Sequence, residues 1–153
     1  MSNNIFWTYK GHQIRDLPEE VKGFVYCIHY TDGTKYIGSK IVRSERRVKP
    51  LVGMRKNAVR KILKESDWRS YIGSSKLTEG KEIHTKVILY LTTDKRTMTF
   101  IEQRELFHTG ALFTDEYLNE NIGGRFFDNA MDGLYTGPVD IQGGLFDEIS
   151  KNR

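Results

Sequence analysis

A glutamate in the second half of the chain is the residue best suited to bind a metal ion. Residues 92–108 predict a helix, because the first three residues offer an N-cap and a glycine follows two positions after the end. Glu102 falls between Met98 and Leu106 at the helical spacing of four, so its carboxylate should point toward the sheet. A carboxylate flanked by apolar residues costs desolvation energy unless a cation pairs with it. Glu102 is therefore the best ligand candidate, and Glu105, near the same side, is the fallback.

A basic segment precedes this helix and points to nucleic acid. Between Lys35 and Lys64 there are eleven basic residues and one acid. Most runs of charge are solvated faces, but holding this excess together is costly without a polyanion nearby. The candidate phosphate contacts are basic residues of this segment and two later serines, which could instead cap a short helix: Lys35, Arg43, Arg47, Lys56, Arg60, Ser74 and Ser75.

Two tyrosines, Tyr26 and Tyr36, are predicted to lie on the two strands of a β-hairpin. An apolar run over residues 24–28 stops at an Asp-Gly turn within residues 31–34, and a second run starts at Tyr36. Asp-Gly between β-prone runs is the strongest short-range hairpin signal, because the turn requires positive φ. A phenol with a pKa of about 10 is a poor base at neutral pH unless a metal or another cation lowers that pKa.

The combination of motifs resembles the GIY-YIG nuclease family. The similar stretches are two tyrosine motifs, an arginine ten residues after the second, the downstream Glu102, and a Tyr-x-Asn: Gly23-Phe24-Val25-Tyr26, Tyr36-Ile37-Gly38-Ser39, Arg46 and Tyr117-Leu118-Asn119. The similarity is closest to small phage-type members, which carry a stretch like Trp-x-x-Tyr-x-Gly-Ser-Ser at residues 68–75. It covers roughly residues 7–124.

The resemblance implies an endonuclease that hydrolyses DNA phosphodiester bonds with a bound metal. Glu102 would bind one divalent ion, Mg²⁺ or Mn²⁺, and Arg46 would hold the scissile phosphate. Tyr26 or Tyr36 would orient or deprotonate the attacking water, and Asn119 would complete the site. These groups must then converge on one pocket.

Some positions in this assignment stay open. Arg43 and Arg47 flank Arg46, and Asn121 could substitute for Asn119 because Leu118 interrupts the family's Tyr-Asn pair. Many family members have a histidine or tyrosine four residues after the arginine, where this chain has Pro50. Lys40 is the candidate to replace it. The residues alone would indicate only a basic α+β domain with a candidate acid.

The predicted fold is α+β: a small three-stranded antiparallel sheet flanked by helices in the order β-β-α-β-α, with a less regular C-terminal extension. Residues 82–91 are the third, central strand, and residues 55–65 are a helix with an apolar stripe. Three parts are expected along the chain. They are an N-terminal lead-in packed on the domain (1–22), a nuclease-like domain (23–124) and the extension (125–153).

The composition of the chain limits its expected localisation and partners. The start is no signal peptide and no stretch reaches the ~20 apolar residues of a membrane span. The single Cys27 excludes an internal disulfide, so we expect a cytoplasmic protein, in a bacterial host if phage-encoded. A double-strand break from one active site requires a homodimer or two visits. Two alternatives remain, a catalytically silent DNA-binding module and a phage or mobile-element interaction protein.

Overall fold

The computed structural model describes residues 5–123, 133–141 and 144–146, the last three by their backbone alone. The strands are β1 (Trp7–Tyr9), β2 (His12–Gln13), β3 (Gly23–Tyr30), β4 (Lys35–Ile41), β5 (Arg43–Val48), β6 (Arg60–Glu65), β7 (Ile83–Thr92), β8 (Leu134–Tyr135), β9 (Val139–Ile141) and β10 (Gly144–Phe146). The α-helix is α1 (Lys95–His108), and short 3₁₀ helices span Lys76–Thr78 and Ala111–Phe113. Among the described residues, no helix is long and apolar enough to cross a membrane.

The main sheet is larger than the three strands predicted from the sequence. Its order is β2-β1-β7-β3-β4, and β8 pairs with β7 as a sixth strand. The three predicted strands are adjacent and antiparallel, but β3, and not the strand over residues 82–91, lies between the other two, and β4 is an edge strand of the sheet. The additional strands come from the two ends of the described chain, since β1 lies parallel to β7 beside the predicted core. The segment expected as an N-terminal lead-in packed on the domain therefore contributes two strands, β1 and β2, to the sheet.

The predicted hairpin is confirmed, including its turn. Gly33 adopts φ +87°, the left-handed region that the Asp-Gly signal requires. The Asp32 carboxylate accepts from the Thr34 backbone N–H at 2.9 Å, and Tyr30 N–H donates to the Thr34 carbonyl at 2.9 Å. These bonds fix the loop length, and the loop length fixes the register of Tyr26 against Gly38.

The helix predicted at residues 55–65 is wrong. Residues 60–65 are instead β6, which pairs antiparallel with β5 to form a separate two-stranded sheet, here called the ribbon (residues 43–65). The apolar stripe of the predicted helix has no core to pack against, and Ile62 and Leu63 remain nearly half exposed. Pairing with β5 satisfies the backbone and sets opposite charges on one face, with Lys61 Nζ 3.7 Å from Glu45 Oε2. The first helix of the expected β-β-α-β-α order is thus absent from the described residues.

The two faces of the main sheet are covered by different layers. On one face α1 packs through Met98, Ile101 and Leu106, which confirms the predicted helix and its buried side. Asp94 is its N-cap, with Oδ1 accepting from the Thr97 N–H at 2.7 Å. On the other face lies an aromatic layer, formed by side chains of β1, β3 and the segment after the ribbon: Trp7, Phe24, Tyr26, Trp68 and Tyr71.

Part of the C-terminal extension packs back on this aromatic face. Val139 and Ile141 belong to the same buried cluster, and Ile141 forms a bridge with Ile14. Most of the remaining extension lies outside the described residues. The described part shows that the extension contributes to the core that covers the sheet.

Candidate active site

Two tyrosine side chains share one face of the β3–β4 hairpin. Tyr26 pairs with Gly38 in the strand register and Ile28 pairs with Tyr36, and directly paired residues of antiparallel strands point to the same side. The buried Tyr26 ring lies over Gly38, where an added Cβ would be 2.4 Å from the phenol oxygen. Only a glycine at position 38 leaves room for this phenol, so one motif positions the tyrosine of the other.

Both phenols are hydrogen-bond donors at neutral pH. Burial raises the pKa of Tyr26 far above its ordinary value, and the neighbouring Tyr71 and Glu102 raise it further. Burial also raises the pKa of Tyr36, followed by the Glu102 carboxylate, while a hydrogen bond with Ser75 lowers it. A phenol with a pKa above 10 stays protonated at neutral pH unless a cation approaches it.

A third tyrosine, Tyr71, joins this pair and brings a lysine with it. Its ring meets that of Tyr26 edge-on, with centroids 6.1 Å apart at an interplanar angle of 76°. Lys40 Nζ lies 4.0 Å from the Tyr71 ring centroid and 2.6 Å from Asp67 Oδ1. Lys40 is opposite Phe24 in the register, so it emerges on the tyrosine face. The predicted replacement base is thus held in an ion pair beside the tyrosines.

A buried lysine fixes the segment that carries Tyr71. Lys86 is only 1% exposed and donates to the Tyr71 carbonyl at 2.8 Å and the Arg69 carbonyl at 3.3 Å. Its ammonium also lies 4.4 Å from the Trp7 ring centroid. Trp7 Nε1 in turn donates to the Trp68 carbonyl at 2.6 Å. Two side chains from the sheet therefore hold the backbone of residues 68–71 above the tyrosine face.

The predicted metal ligand, Glu102, is half-buried on α1 and has one hydroxyl partner. Its Oε2 accepts from Ser39 Oγ at 2.6 Å, and burial raises its pKa although this hydrogen bond lowers it. The fallback ligand Glu105 instead has its carboxylate 3.8 Å from Arg104 Nη2. Of the two acids, only Glu102 contacts the hairpin that carries the tyrosines.

The carboxylate and the phenols approach β4 from opposite faces of the sheet. Ser39 pairs with Val25, which packs against α1, so Ser39 and Glu102 lie on the helix face. Tyr26 and Tyr36 lie on the aromatic face. Even so, the charge of Glu102 raises the pKa of both phenols. The acid and the phenols, expected in one pocket, therefore lie on opposite faces of the sheet. They can approach one another only around the edge strand β4.

The outer edge of β4 is covered on both sides of Ser39. The Asn119 amide accepts from the Ile37 N–H at 3.0 Å and donates to the Ile37 carbonyl at 2.8 Å. Further along, Ser66 Oγ donates to the Ile41 carbonyl at 2.6 Å. Because outward backbone groups alternate along a strand, the N–H and C=O of Ser39 face the same edge. Within the described residues these two groups have no protein partner. This leaves an opening in the edge between the hydrogen bonds of Asn119 and that of Ser66.

A metal at this opening would have few protein ligands. Within residues 5–123 and the described tail, no group of three or more His, Cys, Asp or Glu residues could hold a metal ion. Mg²⁺ is commonly bound by one or two carboxylates and completes its shell with water and substrate phosphates. A half-buried carboxylate with a raised pKa and a single hydroxyl partner fits that role.

Comparison with protein families gives a match over residues 7–122, to the family described as "Putative endonuclease segE, GIY-YIG domain". The chain belongs to the GIY-YIG nuclease family. No curated protein and no solved structure matches the chain. Membership indicates a nuclease, and a nuclease domain implies a DNA substrate.

The arginine that the GIY-YIG motifs select lies on the ribbon. Arg46 is exposed on β5 and has no hydrogen-bond or ion-pair partner among the described residues. The alternative Arg43 is occupied, because its guanidinium donates to three carbonyls within residues 17–21 at 2.8 to 3.1 Å. The ribbon also carries the other predicted DNA contacts from the basic segment: Arg47, Lys56 and Arg60.

The remaining predicted DNA contacts are engaged within the protein. Lys35 pairs with Glu116, and Ser74 Oγ accepts from a tyrosine hydroxyl at 3.3 Å. Ser75 caps the 3₁₀ helix that follows it, which confirms the capping alternative. Asn119, predicted as catalytic, binds the edge of β4 with both amide atoms. In the free protein each of these side chains therefore has a partner within the protein.

Sequence reasoning missed two charged residues near the tyrosines, Lys86 and Asp67. Lys86 directly precedes the apolar run at residues 87–91 of β7, and a charged residue beside such a run in a strand is a detectable signal. Asp67 directly precedes the Trp-x-x-Tyr stretch, and nothing in the local pattern predicts that it reaches Lys40 across 27 positions.

Proposed function

We propose that the chain is a metal-dependent DNA endonuclease whose active site lies at the outer edge of β4. The observation that carries this proposal is the opening at Ser39. On one side of it stands the carboxylate of Glu102, and on the other stand the phenols of Tyr26 and Tyr36. A phosphodiester at this edge would meet an unused backbone N–H between an acid and two hydrogen-bond donors.

Glu102 holds one Mg²⁺ or Mn²⁺ in this proposal, and Ser39 orients its carboxylate. The bound ion supplies Lewis acidity to the phosphate oxygens and neutralises the leaving 3′-oxygen. The Tyr26 and Tyr36 phenols, protonated as their environment requires, donate to a phosphate oxygen or orient the attacking water. Orientation suits their raised pKa values better than proton abstraction does.

Arg46 holds the scissile phosphate in this proposal, and the base of the ribbon supports that role. Arg43 and its strand partner Glu65 point to one ribbon face, and both bind elements of the aromatic side of the sheet. Arg46 points to the other face, away from the bonds that tie Arg43 and Glu65 to the domain. Its side chain is exposed and has no partner among the described residues, so it can bind a phosphate.

Cleavage assays with matched acid variants test the proposal. Supercoiled plasmid is incubated with Mg²⁺ and wild-type protein, Glu102→Gln, Arg46→Gln or Glu105→Gln. We expect the first two variants to lose on the order of 100-fold or more in nicking rate, because each removes charge stabilisation at the transferred phosphate. Glu105→Gln should keep the wild-type rate. Wild-type rates in Glu102→Gln and Arg46→Gln would overturn this assignment.

A second candidate function is a DNA-binding module with the same fold and no cleavage. It is favoured by the single carboxylate and by the lack of any contact between Arg46 and the tyrosines within the described residues. Binding and cleavage assays together distinguish the two candidate functions. Salt-sensitive duplex binding with no cut product at any Mg²⁺ or Mn²⁺ concentration would support the module and exclude the endonuclease.

A further inference from the structure

The ribbon carries more positive charge than any scaffold role requires. Residues 43–65 contain nine basic and two acidic residues. Its base is tied to the domain through Arg43 and Glu65, whose side chains bind the 17–21 loop and the Trp68 indole. Beyond the base, the strands pair with each other and with no strand of the main sheet. The ribbon is therefore a cationic arm whose two strands pair only with each other.

The charges are divided unequally between the two faces of this arm. Paired residues share a face, and both acids, Glu45 and Glu65, fall on the face that also bears Lys61. The opposite face, here called the acid-free face, is made of three aligned pairs: Ser44 with Lys64, Arg46 with Ile62, and Val48 with Arg60. It presents three cations and no carboxylate to neutralise them.

One donor on the acid-free face lacks a partner. The Nε of Arg60 is shielded from solvent and makes no hydrogen bond to any described residue. An unsatisfied donor of this kind is costly, because burial removes its water without replacing it. Because Nε is shielded, an anion at this face would accept from the terminal Nη groups of Arg60, which also have no partner among the described residues. On the opposite face, which bears Glu45 and Glu65, Lys61 Nζ already lies 3.7 Å from the Glu45 carboxylate.

The tip of the arm carries exposed apolar side chains, whereas its acid-free face carries cations. Val52 is fully exposed, and Leu51 and Met54 are about half exposed. Exposed aliphatic side chains at the end of a charged arm have no core to join among the described residues. A second copy of the arm would bring like charges together, which disfavours self-association. Apolar side chains that insert between base steps are, in contrast, a known device of DNA-bending proteins.

We propose that the ribbon enters a groove of duplex DNA, with its acid-free face against the phosphates and its tip at a base step. Two-stranded ribbons bind in the major or the minor groove of DNA, insertion of apolar side chains at a base step occurs from the minor groove, and phosphate contacts supply most non-specific affinity. This inference rests on the proposed function for its DNA substrate, and it adds where the duplex binds. Because Arg46 lies on the same face, seating the ribbon also brings Arg46 to the phosphate backbone.

Binding measured without cleavage tests the face of the ribbon. Anisotropy titrations use the full chain, a labelled 30-bp duplex and EDTA at several salt concentrations. The variant Arg60→Gln/Lys64→Gln should lower the slope of log K against log [salt] by about two, one for each phosphate contact. Lys61→Gln is the matched control, since its ammonium is already paired with Glu45, and it should leave the slope within error. Equal slopes in both variants would overturn the proposal.

Substitution of the tip tests the groove contact independently. Leu51→Ser/Val52→Ser should weaken binding about tenfold with an unchanged salt slope, and it should remove the 2-aminopurine fluorescence increase that reports unstacking. Unchanged affinity and fluorescence, or a loss of self-association in the free protein by sedimentation, would contradict the groove contact. Plasmid nicking is scored separately. Cleavage with normal ribbon-variant binding would refute this inference alone, and ribbon-dependent binding without any cleavage would refute the endonuclease alone.

Discussion

Among single residues, the missing side chain at position 38 is the feature on which the site depends. The Tyr26 phenol occupies the volume that a Cβ would fill, and it thereby reaches the edge strand next to Ser39. On the other face Ser39 holds the Glu102 carboxylate at 2.6 Å. Adjacent positions of one strand thus position an acid and a phenol that lie on opposite faces of the sheet.

Replacing Gly38 by alanine should destabilise the fold and reduce nicking. The added Cβ would lie 2.4 Å from the Tyr26 Oη and 2.6 Å from its Cζ, and such overpacking costs about 1–3 kcal/mol. Urea unfolding measures the stability change, and plasmid nicking measures the displaced phenol. Gly123→Ala is the control, because nothing lies within 4 Å of its added Cβ. Equal unfolding midpoints for the two variants would show that the ring can move without cost.

Among the elements, β4 stands out as an edge strand that the rest of the chain partly covers. The segment ending at Asn119 runs beside it, with the Lys35 N–H donating to the Glu116 carbonyl and the Leu118 N–H donating to the Lys35 carbonyl, both at 2.8 Å. The Asn119 amide continues this pairing at Ile37 with side-chain atoms. Covering the strand up to this point leaves the edge open from Ser39 to the Ile41 N–H among the described residues, where the proposed substrate binds.

The variant Asn119→Ala should lower the free energy of unfolding more than it lowers the nicking rate of the folded protein. Two hydrogen bonds to Ile37 disappear, and about 1–3 kcal/mol is expected for leaving these backbone groups unpaired. Asn121→Ala, at an exposed neighbouring position, should unfold at the wild-type urea concentration. If Asn119→Ala instead retains full stability and loses all nicking, then Asn119 acts in catalysis and not as a rung of the edge.

The segment that carries Tyr71 depends on a lysine without a carboxylate partner. Burial lowers the pKa of Lys86 to about 8, from an ordinary value of 10.5. The unfolded chain therefore binds more protons than the folded one between these values, and stability rises with pH in that window. The charge of Lys86 works against folding below pH 8, while its two bonds to backbone carbonyls hold the segment.

Comparison with Lys86→Met should isolate this pH dependence. Between pH 8 and 9.5, below the ordinary pKa of tyrosine, the wild type should gain on the order of 1–2 kcal/mol in unfolding free energy relative to the variant. Urea titrations at several pH values measure this difference, in which the other titrating groups cancel. A constant difference across the window would mean that Lys86 keeps its ordinary pKa in the folded protein.

Across the whole molecule, charge and chemistry are divided between two bodies. The main sheet carries the acid and the phenols, while the ribbon carries Arg46 and the cationic acid-free face. In the proposed complex, DNA bound to the ribbon completes a site that the free protein leaves without its arginine. Binding and cleavage should therefore respond to different substitutions, and metal should affect cleavage alone.

The pH dependence of cleavage should report the carboxylate of Glu102. Burial raises its pKa, so the carboxylate becomes protonated and loses metal at a higher pH than an exposed glutamate would. At fixed Mg²⁺, nicking should fall as pH decreases from 8 toward 5, while duplex binding in EDTA at the same pH values changes little. EDTA should abolish nicking at every pH. A flat rate from pH 8 to 5 would show that no buried carboxylate limits the reaction.

The sequence by itself determined the local structure and the identity of most candidate groups. Asp-Gly requires positive φ, so the hairpin and the ten-residue offset of Tyr26 and Tyr36 followed from short-range chemistry. Capping and spacing predicted α1 and the inward direction of Glu102, since both depend on neighbours within a turn. The family resemblance, confirmed over residues 7–122, added the expected reaction.

Only the tertiary structure decided which strands meet and which face each group occupies. Strand β6 takes its conformation from pairing with β5, which lies outside the local window of the helical pattern, so the apolar spacing at Val59, Ile62 and Leu63 suggested a helix that does not form. The parity of the β3–β4 register places Ser39 and Tyr26 on opposite faces. Long-range hydrogen bonds at the edge of β4, made by side chains whose local sequence gives no hint of them, then set the opening between the two.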